Sequence, residues 1–262
     1  MRRTALITGG SSGIGLALSR RLAQRGWRLL WVSLDAAELA ESAQTIRADQ
    51  PNAEVETLAL DLSEGGAVDR VLQWANGHGA VQLLVNNAGF GVYGPSADLP
   101  VAAEAKMIQV NAAALHALTR AFIKPMEDSG GGTIVNVASN SAFTPAPRLA
   151  VYAATKAFVK HYSEALGEEL AEAGSPVRVM TVCPSAVADT PFKTRADMDR
   201  VRTFTSFTAT TADEVARDIL KGLDEQKRFV LTGAAMRRAM ILMKLSPAPL
   251  VRWLTRRETG QL

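Results

Sequence analysis

The chain has 262 residues, 47% hydrophobic and 21% charged, which suits one large α/β domain and argues against a disordered or fibrous chain. Its single cysteine, Cys183, excludes an intrachain disulfide, and no apolar run is long enough to span a bilayer. The net charge of +3 comes from basic residues concentrated in the C-terminal tail and does not suggest a nucleic-acid-binding fold.

In chain order, short apolar runs alternate with longer amphipathic segments. TALIT (4–8) predicts a strand and 14–24 a helix; RLLWVS (28–33) a strand and 36–48 a helix. VETLALD (55–61) and 64–74 repeat the pattern, followed by strands QLLVNN (82–87) and TIVNVAS (133–139) with helical material over 101–126 between them. A long helix over 151–173, strand VRVMTVC (177–183), helix 211–226 and strand RFVLT (228–232) complete the series. MRRTALITGG reads as the start of a strand and not as an export signal, so a reducing cytoplasm is the expected home, with Cys183 a buried spacer.

Continuously apolar strands in a βαβαβ order imply a parallel sheet buried on both faces, and right-handed crossovers make it doubly wound. The expected fold is therefore a single-domain, Rossmann-like α/β sheet with helices on both faces. No linker divides residues 1–235, and ligands of such sheets sit beyond the carboxyl ends of the strands. That is where the informative motifs fall. TGGSSGIG follows the first strand, and Gly9, Gly13 and Gly15 lead into a helix; glycines there permit a tight turn and close backbone approach to a pyrophosphate. NNAG (86–89) follows the fourth strand and CPSAVADTPF (183–192) the sixth. YAATK puts Tyr152 and Lys156 four residues apart, on one helical face. Alone, that pair reads first as a half-buried core aromatic beside a solvated surface charge, because the spacing arises often by chance; if the two meet, the ammonium should lower the phenol's pKa.

Taken in order, these motifs resemble the short-chain dehydrogenase/reductase family, from about Thr4 to Leu231. The spacing G-x-x-x-G-x-G after Thr8, NNAG, Asn111, and Ser139 thirteen residues before Tyr152 carry the resemblance. It implies that Tyr152 is the general acid for carbonyl reduction and general base for alcohol oxidation, with Lys156 tuning it and holding the nicotinamide ribose. Ser139 would orient the substrate oxygen and Asn111 would hold a water linking Lys156 to solvent. Ser141 is a rival for the serine role, at a spacing two residues short.

The resemblance also implies a cofactor surface made of Thr8, Gly9, Ser11, Ser12, Gly13, Ile14, Gly15, Ser33, Asp61, Leu62, Asn87, Ala88, Gly89, Tyr152, Lys156, Pro184, Val187 and Thr190, with Asp61 at the adenine. Ser185 stands where the family usually has glycine, Thr190 comes one residue late, and Asp189 could occupy part of that site. Ser33 is neutral where an acid would select NAD, Leu34 replaces a frequent arginine, Ser12 offers no phosphate clamp, and Asp35 reads as the N-cap of the next helix. These features tilt the expectation slightly to NADP(H), with NAD(H) also admitted. No metal is expected.

Residues 187–211 would form a lid carrying Phe192, Phe204 and Phe207. With Phe90, Val92, Tyr93 and Phe143 it suggests an apolar pocket for a carbonyl or alcohol, such as a lipid-like, 3-oxoacyl or steroid-like ketone or aldehyde. Residues 236–262 form a tail in which Arg237, Arg238, Lys244, Arg252, Arg256 and Arg257 stand against Glu258 alone. Without these seven, the chain's 29 basic and 26 acidic residues become 23 and 25, so the basic character lies in the tail. Peripheral membrane contact and docking on the body or a partner are both open for it. A homodimer or homotetramer through the Tyr152 helix is expected from the resemblance. The leading function is a nicotinamide-dependent ketoreductase. A hydrolase built on Ser139 lacks a nucleophile elbow, and an epimerase or dehydratase lacks its larger substrate domain. The remaining alternative is a non-catalytic NAD(P)-binding sensor or scaffold.

Overall fold

A computed structural model describes residues 2–260; Met1, Gln261, Leu262 and the side chain of Lys244, which belong to the expected domain and tail, lie outside the described residues. Seven strands, β1 (Thr4–Thr8), β2 (Arg28–Ser33), β3 (Val55–Ala59), β4 (Leu83–Asn86), β5 (Gly132–Val137), β6 (Val177–Cys183) and β7 (Phe229–Leu231), form one sheet in the order β3-β2-β1-β4-β5-β6-β7. Every pairing is parallel. The chain reverses its direction of travel across the sheet between β1 and β4, which opens the crevice where doubly wound folds receive ligands.

Apolar side chains fill both faces. On one, α1 (Gly13–Gln24), α2 (Ala36–Asp49) and α8 (Ala212–Asp224) place Leu18, Leu22, Leu39, Ile46, Val215 and Ile219 against Ile7, Leu29, Trp31 and Val182. On the other, α3 (Ala67–Asn76), α5 (Leu115–Asp128) and α6 (Ala150–Glu172) place Val71, Leu118, Phe122, Met126 and Leu166 against Leu6, Leu30, Leu84 and Ile134. Each such side chain contributes about 1.5–3 kcal/mol by leaving water.

Several boundaries differ from expectation for local reasons. The third helix starts at Ala67 and not at 64, because Gly66 is left-handed at φ 75° and cannot sit inside a helix. Thr211 stands outside α8 as its N-cap, in a reciprocal capping box with Glu214. The 101–126 segment is not one regular helix: α4 (Val101–Ile108) passes into α5 through a π-helical turn at Gln109–Ala114. Such wide turns recur at functional sites, and this one holds Asn111.

The lid contains a short helix, α7 (Phe192–Arg195), whose surroundings form a small apolar cluster of Ala146, Leu149, Ala196, Met198, Val201 and Phe204. The tail forms α9 (Ala234–Leu245) and α10 (Ala248–Glu258). It packs on the body through buried Met236 and Met240. Its far end is held where Tyr93 donates its hydroxyl to the Thr259 carbonyl at 2.7 Å and Arg202 N–H to the Gly260 carbonyl at 3.2 Å.

Candidate active site

The glycine turn after β1 adopts the conformations that its sequence requires. Gly9 and Gly13 have φ of 66° and 51°, a region costly for side chains. A Cβ on Gly15 would lie 2.1 Å from the Gly9 carbonyl oxygen, so only glycine permits this close turn. The NNAG segment braces it: Thr8 Oγ1 accepts from the backbone N–H groups of Asn87 and Ala88, each at 3.0 Å, and Asn87 Nδ2 donates to the carbonyls of Thr8 and Gly9 at 3.0 and 3.1 Å. Asn86 turns the other way, into a buried network in which its Nδ2 donates to Thr119 and Asn136, and Asn136 Nδ2 donates to Ser163.

At the start of α1, Ser12 makes no side-chain capping bond, so the orphan N–H groups of the first turn face the crevice uncapped by it. Thr190 lies over the same turn, 3.2 Å from where a Gly13 Cβ would be. Thr190 turns its methyl group to this turn and donates its hydroxyl to the Val187 carbonyl at 3.2 Å; the glycine cradle and the uncapped helix N–H groups fit a dinucleotide pyrophosphate. At the edge of this crevice Ser11 Oγ meets Ser33 Oγ at 3.1 Å. Asp35 caps α2, accepting from Ala37 and Glu38 N–H.

Asp61, after β3, accepts from Ser63 N–H and Oγ on one oxygen and from Lys106 at 2.8 Å on the other. These bonds, that of Lys106 first, bring its pKa down to about 2. Leu62 beside it is buried. Asp189 does not enter the site: its carboxylate accepts from Ala212 N–H at 2.8 Å and helps to start α8. The segment around Val187 is fixed by a bridge to Thr210, Ser185 by a 3.2 Å hydroxyl contact to that threonine, and Pro184 by accepting from Asn140 N–H.

The first turns of α6 carry Tyr152 and Lys156 to the ends of β4, β5 and β6. Lys156 is 4% exposed and donates to the Val137 carbonyl at 2.9 Å, and its Nζ lies 5.8 Å from the Tyr152 ring centre. Asn111 clasps the neighbouring turn, accepting from Phe90 N–H and donating to the Phe90 carbonyl and Thr155 Oγ1. Gly89 has no room for a Cβ, which would stand 2.9 Å from Asn111 Oδ1 and 3.4 Å from Lys156 Nζ. Ser139 accepts from Ser141 N–H at 3.1 Å and donates to Asn140 Oδ1 at 3.2 Å, and its hydroxyl is the side-chain neighbour that acts to lower the Tyr152 pKa. The Ser141 hydroxyl is buried without a partner, so only Ser139 meets the phenol.

Electrostatics correct one expectation. Burial pushes the Tyr152 phenol up to about 12, outweighing the opposing hydrogen bond from Ser139. Burial also brings Lys156 down to about 8, with Cys183 acting weakly the other way. The expected lowering of the phenol by its ammonium neighbour is absent, because loss of water around the hydroxyl dominates at this separation. Near neutral pH both groups hold their protons.

The lid closes one side. Phe192 packs on Tyr152 with ring centres 5.5 Å apart and would lie 3.0 Å from a Cβ at Gly91. Tyr93, Ala186 and Phe204 belong to the same apolar cluster. Phe143 instead packs edge-on against Phe229, and Phe207 is 81% exposed. Neither belongs to the cluster around Tyr152. Glu38 was invisible to sequence spacing: from the first turn of α2 it reaches back and accepts from Ser11 Oγ at 2.6 Å. Its partner Arg195, from the lid, was equally invisible. Among the described residues no His, Cys, Asp and Glu group is placed to hold a metal.

Fold and site together define a dinucleotide-binding α/β protein with a serine–tyrosine–lysine cluster at the strand ends. The family model for short chain dehydrogenases matches residues 3–200, and the chain belongs to the short-chain dehydrogenase/reductase family. It is 33% identical over 188 residues to the very-long-chain 3-oxoacyl-CoA reductase of Rattus norvegicus, a match covering 70% of this chain and 59% of that protein. Among solved structures it is similar to a short-chain dehydrogenase from Sphingobium yanoikuyae in complex with NADPH, at 31% identity, TM-score 0.80 and 93% coverage of each chain. A short-chain dehydrogenase/reductase from Burkholderia phymatum in complex with NAD is 26% identical at TM-score 0.82, with 100% of this chain and 98% of that one covered.

Proposed function

We propose that the chain is an NAD(P)(H)-dependent oxidoreductase that interconverts an apolar ketone or aldehyde and its alcohol. The observation that carries this reading is the Tyr152 phenol, packed on the Phe192 ring beside Lys156 and Ser139 at the strand ends next to the glycine turn. The nicotinamide would supply or receive the hydride. Thr8, Gly9, Ser11 to Gly15, Asn87 to Gly89, Pro184, Val187 and Thr190 would hold the dinucleotide, with Asp61 and Leu62 toward the adenine. Lys156 spends one of its three donors on Val137; the others suit the nicotinamide ribose. In reduction Tyr152 donates its proton to the substrate oxygen, which Ser139 positions and stabilises as charge develops. Asn111 and Lys156 mark the route by which a water replaces that proton. The apolar lid cluster and the likeness to a 3-oxoacyl-CoA reductase support long-chain acyl or alicyclic ketones.

Tyr152→Phe should lose at least about 100-fold in turnover while nucleotide binding, followed by NADPH and NADH fluorescence, stays within about threefold. Substantial turnover in this variant across a panel of apolar ketones refutes the assignment. Binding of nucleotide without turnover by the parent on the same panel would favour a sensor or scaffold.

The tail supports a proposal about where this chemistry occurs. Ile241, Leu242, Leu245, Leu250 and Trp253 are 46–81% exposed, and the same two helices carry Arg238, Arg252, Arg256 and Arg257. Among the described residues no helix is long and apolar enough to cross a membrane, but this basic and apolar surface suits an anionic bilayer interface. The pair Leu242→Glu and Leu245→Glu should abolish sedimentation with anionic vesicles; unchanged sedimentation removes the idea. Phe158 of α6, 45% exposed and stacked on Tyr162, suits a homodimer or homotetramer interface through that helix, testable by sedimentation velocity of Phe158→Glu.

A further inference from the structure

The acid expected at the end of β2 is missing, yet a carboxylate stands at that place. Glu38 lies in the first turn of α2, five residues beyond Ser33. One oxygen accepts from Ser11 Oγ at 2.6 Å, and that hydroxyl also touches Ser33 Oγ at 3.1 Å. The other oxygen is paired with Arg195 of α7, whose second guanidinium nitrogen is 3.5 Å from Ser12 Oγ. Ser11 and Ser12 belong to the glycine turn and Ser33 ends β2, and the adenosine ribose of a dinucleotide rests between these two elements in this fold. Burial works against the anion, but hydrogen bonds from Ser11, Arg195 and Ser12 outweigh it and hold the carboxyl below the ordinary glutamate value.

We infer that Glu38 reads the 2′ position of the adenosine ribose and that Arg195 is its counter-ion on the lid, so that one contact links cofactor identity to lid position. The inference rests on the nucleotide-binding reading above and extends it. An ionised carboxylate only accepts hydrogen bonds, so it can take a 2′-hydroxyl proton. A 2′-phosphate brings roughly −1.5 to −2 charges and repels it. The phosphate is accommodated only by drawing Arg195 away from Glu38, and at 57% side-chain exposure Arg195 has room to move. A guanidinium matches both oxyanions in geometry.

Fluorescence titration of NADH and NADPH against the full chain, Glu38→Gln and Arg195→Met tests this without relying on turnover. Glu38→Gln should shift the ratio of the two dissociation constants toward NADPH by tenfold or more. Arg195→Met should shift it toward NADH by threefold or more, chiefly by weakening NADPH. In Arg195→Met, the protection from hydrogen exchange that NADH confers on residues 192–204 should fall by at least half. A Glu38→Gln ratio within twofold of the parent overturns the inference, whether or not both affinities fall together. Undiminished protection in Arg195→Met overturns the link to the lid. If the parent binds neither nucleotide, the proposed function fails and takes this inference with it; binding with an unmoved ratio defeats the inference alone.

Discussion

Replacing Lys156 with methionine should stabilise the fold and remove its activity. Lys156 is 4% exposed, and burial brings its pKa from 10.5 down to about 8. At about 1.36 kcal/mol for each tenfold change in proton affinity, that lowering makes the charged side chain cost the folded state about 3 kcal/mol. The sign follows from proton counts. Below about pH 8 both folded and unfolded chains carry the proton and the cost is full. Between about 8 and 10.5 the unfolded chain binds more protons, so stability rises with pH; above 10.5 the cost is gone. Methionine fills similar space but strands the Val137 carbonyl, which now receives a 2.9 Å bond; an unpaired buried acceptor costs about 1–3 kcal/mol. The variant should therefore gain up to about 2 kcal/mol at pH 7, roughly 4–8 °C in Tm for a chain of this size. That gain should disappear by about pH 10.5, where the stranded carbonyl alone remains. Thermal melts by circular dichroism at several pH values between about 6.5 and 10.5 check this, alongside a turnover assay that should show a loss of at least about 100-fold. A gain that persists undiminished to the alkaline end, or a variant clearly less stable than the parent at pH 7, refutes the reasoning.

The rate of carbonyl reduction should be level up to about pH 8 and then fall by about tenfold per unit as Lys156 loses its charge; a profile flat to about pH 10 contradicts a role for the ammonium. Gly15→Ala, whose Cβ would stand 2.1 Å from the Gly9 carbonyl oxygen, should weaken nucleotide binding at least about 100-fold with the far-ultraviolet spectrum intact, read by titration of NADPH. Asn136→Ala takes one bond each from Asn86, Thr119 and Ser163 in the sheet network, although the Asn86–Thr119 and Ser163–Val159 bonds remain, and should destabilise by about 1–3 kcal/mol in urea denaturation.

Much of this molecule is written locally. Apolar runs mark each strand because a parallel sheet covered on both faces needs apolar side chains on both sides of every strand. TGGSSGIG and NNAG fall beside one another because β1 and β4 are neighbours, pairing Thr8 with Asn86. What eluded the sequence depends on long-range geometry. The four-residue spacing of Tyr152 and Lys156 announces that they can meet, but not how much water each loses in the fold, and that loss sets the direction of both pKa changes. The π-helical turn around Asn111 has no signature in QVNAAA. Glu38 and Arg195 are 157 residues apart in sequence, and no local pattern joins an α2 acid to a lid arginine. Tail docking at Tyr93 and Thr259 is similarly remote.

Partial burial of the phenol also decides which protonation state the resting protein offers to each direction of the proposed reaction. With its pKa raised to about 12, Tyr152 keeps its proton near neutral pH, and forming the phenolate there carries a free-energy cost before any other charge is considered. Reduction starts from the protonated phenol and escapes that cost until the proton leaves. Oxidation must meet it first, and the charged Lys156 is 5.8 Å from the ring centre, too far to offset it alone. A positively charged oxidised nicotinamide would act in the same sense as the ammonium and lower the phenol further. The base for alcohol oxidation is then made by cofactor binding and not by the resting protein, which ties proton chemistry at Tyr152 to occupancy of the glycine-lined crevice.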